Sequence, residues 1–304
     1  ADEVWAALQA MRSGGGREEE PPDLKKPEWD AFTSPNPPQN WPDFMVTRIA
    51  APKGLEAKFD FTVVAERLRE VNALIGFTRV EPPEEAKEGG APPPRAPLAN
   101  GKPEWIPATE VRGEGIFLRF NSQRLAEWLL RPGVKAREAA LLQGHKAFRA
   151  ARKLSPPEDN FPGITYVLLH TFAHVLIREL ALECGYSAAS VRERIYASGY
   201  GQDPDMAGVL VYTAAPDSDG TLGGLAQLGQ PDRLGELIAQ ALARARICAS
   251  DPLCAEHVPN HDRSLHGAAC HACSFVAETS CEIGNRYLDR SLLVPTLAGT
   301  DLSF

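Results

Sequence analysis

No surplus of basic residues is present: 32 Lys and Arg stand against 40 Asp and Glu, for a net charge of −8. That balance excludes a chain that coats nucleic acid over its whole surface, because counterion release at phosphates needs clustered Lys and Arg, although a local basic face stays open. No G-x-x-x-x-G-K-[ST] loop occurs, which argues against an autonomous P-loop ATPase. There is no charged-then-apolar leader, no uninterrupted apolar run of membrane-spanning length and no internal repeat. The cysteines do not form the even framework of a small secreted domain. A protein of the reducing cytoplasm with no membrane partner is expected. Methionine is absent from position 1, where the chain begins ADEVWAALQA, as a piece of a longer protein would.

What is there is 304 residues, enough for two domains or one large one, with an ordinary apolar share of 43%. The first part is broken by GGGREEEPPDLKKP, SPNPPQNWPDF and EPPEEAKEGGAPPPRAPLANGKP, whose prolines and charges favour extended connections over packed elements. Between them, FTVVAERLREVNALIGF carries Val64, Leu68, Val71 and Ile75 at helical spacing, which predicts an amphipathic helix. GEGIFLRF reads as a strand, Asn121 or Ser122 as the cap of a short helix stopped at Pro132 and Gly133, and VKAREAALLQGHKAFRAARKL as further helix.

From Phe161 the texture changes. ITYVLLHTFAHVLIRELALECG predicts a helix that starts near Pro162, ends at Gly185 and is apolar nearly all round, hence buried. SAASVRERIYAS predicts a second helix capped by Ser187, GVLVYTA a buried strand at a sheet edge, PDSDGTLGGL a turn, and DRLGELIAQALARARIC a long helix. The expected fold class is α+β, mostly helical with a small sheet and a Cys-rich zinc knuckle near the C-terminus. Residues 1–158 form a Pro/Gly-interrupted mixed α/β region with flexible loops, and residues 159–304 a zinc-binding domain.

The knuckle rests on the cysteines. Of six, Cys184 stands alone, while Cys248, Cys254, Cys270, Cys273 and Cys281 fall within one short stretch, more than packing alone selects. A Cys-x-x-Cys turn lets Cys270 and Cys273 converge on one Zn²⁺, Cys281 is near enough to be a third ligand, and Cys254 or Cys248 can complete the shell. His257, His266 and His271 are substitutes. Three or four thiolates leave no open position for substrate, so such a zinc is structural. The segment after Cys281 is expected to run into a helix.

Two other constellations bear on catalysis. His170 and His174 lie four apart on one helix face, as in zinc proteases, but no Glu stands between them, and on so apolar a helix hydrogen-bonded core histidines are expected. A second metal or a polar contact with DNA is the sharper alternative. Asp217 and Asp219 can hold a divalent cation or simply form a tight turn. Together these four residues define the competing reading, a metal-dependent nuclease or hydrolase. The candidate nucleic-acid contacts are Arg244, Arg246, Arg286 and Arg290, which flank the cysteines from both sides. Few aromatics interleave with them, so base stacking is not expected.

As a set, LLHTFAHVLIRELALECGYSAASVRERIYA, GVLVYTAAPDSDGTLGGL, CASDPLCAEH, LHGAACHAC and CEIGNRYLDRSLLV resemble the MZB zinc-binding domain of bacterial superfamily 2 helicases, most closely in its DrmB form from DISARM anti-phage systems. LREVNALIGFTRVEPP and WIPATEVRGEGIFL are similar to the preceding part of that family. The resemblance maps zinc ligands onto Cys254, Cys270, Cys273 and Cys281, with Cys248 as the alternative, and departs from the family pattern at the insertion AEHVPNHDRSLHGAA. It implies a non-catalytic subunit beside a DrmA-like helicase that supplies the motor, with DNA bound through the complex.

Overall fold

A computed structural model of the chain describes residues 24–37, 41–74, 76–77, 96, 98–99, 105–185, 187–202, 205–213, 224–259, 264–298 and 302–304. Among these, the elements in chain order are α1 (Lys25–Thr33), β1 (Met45–Ile49), β2 (Phe59–Ala73), β3 (Ala108–Phe120), α2 (Ser122–Leu129), α3 (Pro132–Ala151), α4 (Gly163–Cys184), β4 (Val191–Ala197), β5 (Ala207–Thr213), α5 (Gly224–Leu228) and α6 (Pro231–Ala245). The strands form one antiparallel sheet in the order β1-β2-β3-β5-β4. It joins both parts of the chain, since Gly115–Arg119 of β3 pairs with Gly208–Tyr212 of β5. The α+β class is therefore as the sequence reads.

Over its inner part, both faces of the sheet are covered. Because side chains alternate along a strand, Ile116, Leu118 and Phe120 of β3, Val209 and Val211 of β5 and Val191 and Ile195 of β4 reach the same core as Phe172, Leu176 and Leu180 of α4. The intervening Phe117, Leu210 and Tyr196 turn the other way, onto Trp29 and Phe32 of α1. Each such fully buried side chain contributes about 1.5–3 kcal/mol relative to exposure. Helix α4 is the centre of the molecule. It ends at Gly185 with φ 67°, as expected, and the Glu138 carboxylate of α3 accepts the Ile164 N–H at its start (3.0 Å). By length and composition Gly163–Glu183 could cross a membrane, yet 83% of that window is buried inside this fold. Asn121 caps α2 by accepting the Arg124 N–H (2.8 Å).

Four local expectations are corrected. The stretch containing Val64, Leu68 and Val71 is strand β2, not a helix; its outer half pairs with Ala108–Gly113 as a ribbon largely exposed on both faces, so burial imposes no alternation there. SAASVRERIYAS is not a helix either: Ser187 caps only a 3₁₀ turn at Ala188–Ser190, and Val191–Ala197 is strand β4. The edge strands are β1 and β4, while β5 is interior. After Cys281 no α-helix forms, because Gly284, Asn285 and Tyr287 all adopt positive φ (63°, 59° and 57°), leaving a 3₁₀ turn at Arg290–Leu292.

Candidate metal centre

Two groups of ligand-type side chains come together, each with its donor atoms within 4.8 Å of one another. The first is Cys248, Cys254, Cys270 and Cys273. Cys248 and Cys254 follow the end of α6 in a turn organised by Asp251, whose carboxylate accepts the N–H groups of Cys248 (2.9 Å) and Ala255 (3.1 Å). Cys270 and Cys273 sit on the expected tight turn, where the Cys270 carbonyl accepts the N–H groups of Cys273, Ser274 and Phe275 at 2.9–3.2 Å. The sulfur separations are 3.4 Å for Cys248–Cys270, 3.7 Å for Cys254–Cys273 and 3.8 Å for Cys270–Cys273. A tetrahedron with Zn–S bonds of about 2.3 Å has edges of about 3.8 Å, so this donor set fits Zn²⁺. Acidity follows from the contacts: a hydrogen bond from Cys254 brings the Cys273 thiol down to about 5, while the same sharing raises Cys254. A thiolate is already favoured where the metal needs one.

Arg290 lies against this group, with no exposed side-chain surface. It pairs with Asp251 and donates to the Ala245 and Arg246 carbonyls (2.9 and 3.1 Å), tying the end of α6 to the cysteine turn. Arg178 of α4 holds the opposite side through the Phe275 and Ala272 carbonyls (both 2.9 Å).

Cys281, expected with these cysteines, instead joins His170, His174 and Glu193. Period-two geometry puts Glu193 on the same face of β4 as Val191 and Ile195, so its carboxylate points at α4. The His170 Nε2 lies 3.0 Å from Glu193 Oε1 and 3.2 Å from Cys281 Sγ, and the His174 Nε2 3.4 Å from Glu193 Oε1. Both outer ring nitrogens face backbone carbonyls, His170 Nδ1 that of Tyr287 (3.2 Å) and His174 Nδ1 that of Ser274 (2.8 Å). Burial disfavours charge on Glu193, but His170 and His174 hold its carboxyl well below the usual range. Burial likewise opposes protonation of His170, which Glu193 and Cys281 nonetheless raise to about 10. Burial would push the Cys281 thiol up, and the His170 and His174 rings beside it bring it down to about 7.

The other expected residues divide. His257, His266 and His271 belong to neither group among the described residues. Asp217 and Asp219 lie outside the described residues. Of the four arginines, Arg290 is buried and therefore cannot touch DNA, Arg244 pairs with the buried Glu179 (2.8 Å) while 65% of its side chain stays exposed, Arg246 is exposed, and Arg286 is half-buried with its Nε on the Ile283 carbonyl (2.9 Å). Arg192 and Arg194 are engaged by Glu70 and Glu28. Glu193 is the residue that sequence reasoning missed. Its signal was the alternation Val191-x-Glu193-x-Ile195.

Residues 172–274 match the family model described as MZB, the MrfA Zn-binding domain, a span that contains Cys248, Cys254, Cys270 and Cys273. This part of the molecule is thus a zinc-binding domain, and zinc is its cofactor. Over 275 residues, 90% of the chain, the sequence is 41% identical to the DISARM protein DrmB of Bacillus paralicheniformis, of which the alignment covers 48%. The chain spans about half the length of that curated relative. The resemblance read from the sequence motifs is borne out on both counts.

Proposed function

We propose that this chain is a non-catalytic, zinc-stabilised component of a DISARM-type anti-phage system in the bacterial cytoplasm, which associates with a DrmA-like superfamily 2 helicase and helps the complex bind or sense invading DNA. The observation that carries the reading is the 41% identity to a DISARM DrmB protein across 90% of the chain. Cys248, Cys254, Cys270 and Cys273 hold the structural zinc, in residues 159–304, which we take as the zinc-binding unit. Four thiolates fill a tetrahedral shell and leave no position for substrate. The nuclease reading loses its histidine half, because His170 and His174 are wholly buried and no phosphodiester reaches them.

Co-expression with a DrmA-like helicase should give a stable complex. The purified chain should cleave no DNA with added Mg²⁺ or Mn²⁺; cleavage abolished by Asp217→Ala would end the subunit reading. We assign the DNA contact to Arg244, Arg246 and Arg286. Arg246→Gln with Arg286→Gln is the cleaner test, since replacing Arg244 strips a partner from the buried Glu179 carboxylate. The double variant should weaken DNA binding by the complex alike at all sequences, and the log–log salt slope should shrink by about 2, one for each lost phosphate contact. Loss of the helicase with DNA binding otherwise intact would make this face a protein interface instead.

A further inference from the structure

We propose that His170, His174, Glu193 and Cys281 form a second, largely buried metal site, for a divalent cation of the zinc class, separate from the four-cysteine site. Two atoms of the group are orphaned: the His174 Nε2 and the Glu193 Oε2 are buried and have no hydrogen-bond partner. Buried polar atoms are rarely left so, and each can offer an electron pair to a metal. The two imidazoles are pre-set as ligands. With Nδ1–H donated to the Tyr287 and Ser274 carbonyls, the tautomer is fixed and the Nε2 lone pairs point inward, the outer-sphere arrangement that metal-bound histidines adopt.

Distances and charge agree with that assignment. A tetrahedral zinc with two N, one O and one S donor has edges of about 3.3–3.6 Å; the group shows 3.0, 3.2 and 3.4 Å between its donors, so two pairs part by about 0.3–0.4 Å to admit the metal. One carboxylate and one thiolate neutralise a divalent ion, so the filled site carries no net charge in an interior that strongly disfavours any. On binding, the protons that the histidine Nε2 atoms and Cys281 hold in the empty site leave to solvent, freeing the Nε2 lone pairs and the thiolate sulfur for the metal. Imidazole, thiolate and carboxylate together suit zinc better than Mg²⁺ or Ca²⁺, which prefer all-oxygen shells. All four side chains are at the junction of α4, β4 and the loop after the cysteine turn. Four protein donors fill a tetrahedral shell, so the metal would act as a staple fastening that loop to the helix.

Metal analysis of the purified full chain, prepared without chelator, tests this directly. About two zinc ions per chain are expected, and zinc X-ray absorption should show a shell of sulfur mixed with nitrogen and oxygen. Glu193→Gln, nearly the same size, should lower the content to about one ion and leave a sulfur-only shell. A wild-type chain with about one zinc in a sulfur-only shell would overturn the proposal, the buried group then being held by protons alone. Retention of both ions and an unchanged absorption spectrum in Glu193→Gln would overturn it equally. One ion in a nitrogen- and oxygen-rich shell would instead support this site and count against the four-cysteine one. Should Glu193→Gln fail to fold, the wild-type stoichiometry and absorption spectrum still decide.

Discussion

Cys270→Ser is expected to free the two cysteine turns, residues 248–275, from the body of the protein while the sheet stays folded. Cys270 is central to the four-cysteine group, within 3.4 Å of Cys248 and 3.8 Å of Cys273, and a serine hydroxyl is a poor zinc ligand at neutral pH. Among the described residues of the segment there is no α-helix and no strand, and the backbone hydrogen bonds of the two cysteine turns are local ones that do not tie them to the sheet. Metal-binding energy is folding energy in such a site, on the order of 10 kcal/mol for zinc-finger peptides, comparable to the whole stability of a domain. The loss propagates. Arg178 and His174 of α4 bond to the Ala272, Ser274 and Phe275 carbonyls, so those caps on the central helix go with the turn. Hydrogen exchange should show protection lost across residues 248–275 and reduced near Arg178, and a strong chelator should cause at least this loss in the wild type. An equally protected Cys270→Ser protein would show that the cysteines are ordinary buried thiols.

The parts of this architecture legible in the sequence are those whose signal is local. Helix α4 announces itself by apolar residues on every face and a glycine stop, α2 by its Asn121 cap, and β3 and β5 by short runs of apolar, β-branched and aromatic residues. Strand β4 was read as a helix for a specific reason. Val191 and Ile195 are four apart, and the residue that completes their alternation is a glutamate, which looks like a solvent-facing position. Its burial depends on His170 and His174 from another element, information that no window of neighbouring residues holds. The ligand set shows the same limit. Proximity in sequence favoured Cys281, eight residues after Cys273, over Cys248, 22 residues before Cys270. The Asp251 turn and buried Arg290 bring Cys248 in, while the positive-φ turn at Gly284 and Asn285 goes with a Cys281 directed at the histidines, its sulfur accepting the Asn285 N–H (3.2 Å). Arg290, chosen as a surface contact because arginines usually are, is instead the cation beside four sulfurs.

Asp289→Ala should be among the most damaging single substitutions outside the metal ligands, costing about 3–5 kcal/mol, because it removes one half of a buried ion pair and leaves the other half behind. The Asp289 side chain is wholly buried, and its carboxylate accepts from Arg137 Nε (2.6 Å), Ala268 N (3.2 Å), Ser291 N (3.1 Å) and Ser291 Oγ (2.6 Å). Those donors come from α3, from the strand of chain leading into the Cys270 turn and from the 3₁₀ turn that carries Arg290, so one carboxylate joins three segments. Gly267 belongs to the same arrangement: a Cβ there would occupy the space of the Asp289 carboxylate and the Arg137 guanidinium. Alanine would orphan two backbone N–H groups and a guanidinium that is only 15% exposed. Chemical denaturation should therefore show a lower midpoint with an unchanged slope. The origin of the loss is separable by a double-mutant cycle. If the uncompensated Arg137 is the main cost, Arg137→Met should be milder than Asp289→Ala, and adding it to Asp289→Ala should recover a large part of the stability rather than lower it further. Strictly additive losses would show that the backbone bonds to Ala268 and Ser291, not the ion pair, are what Asp289 contributes.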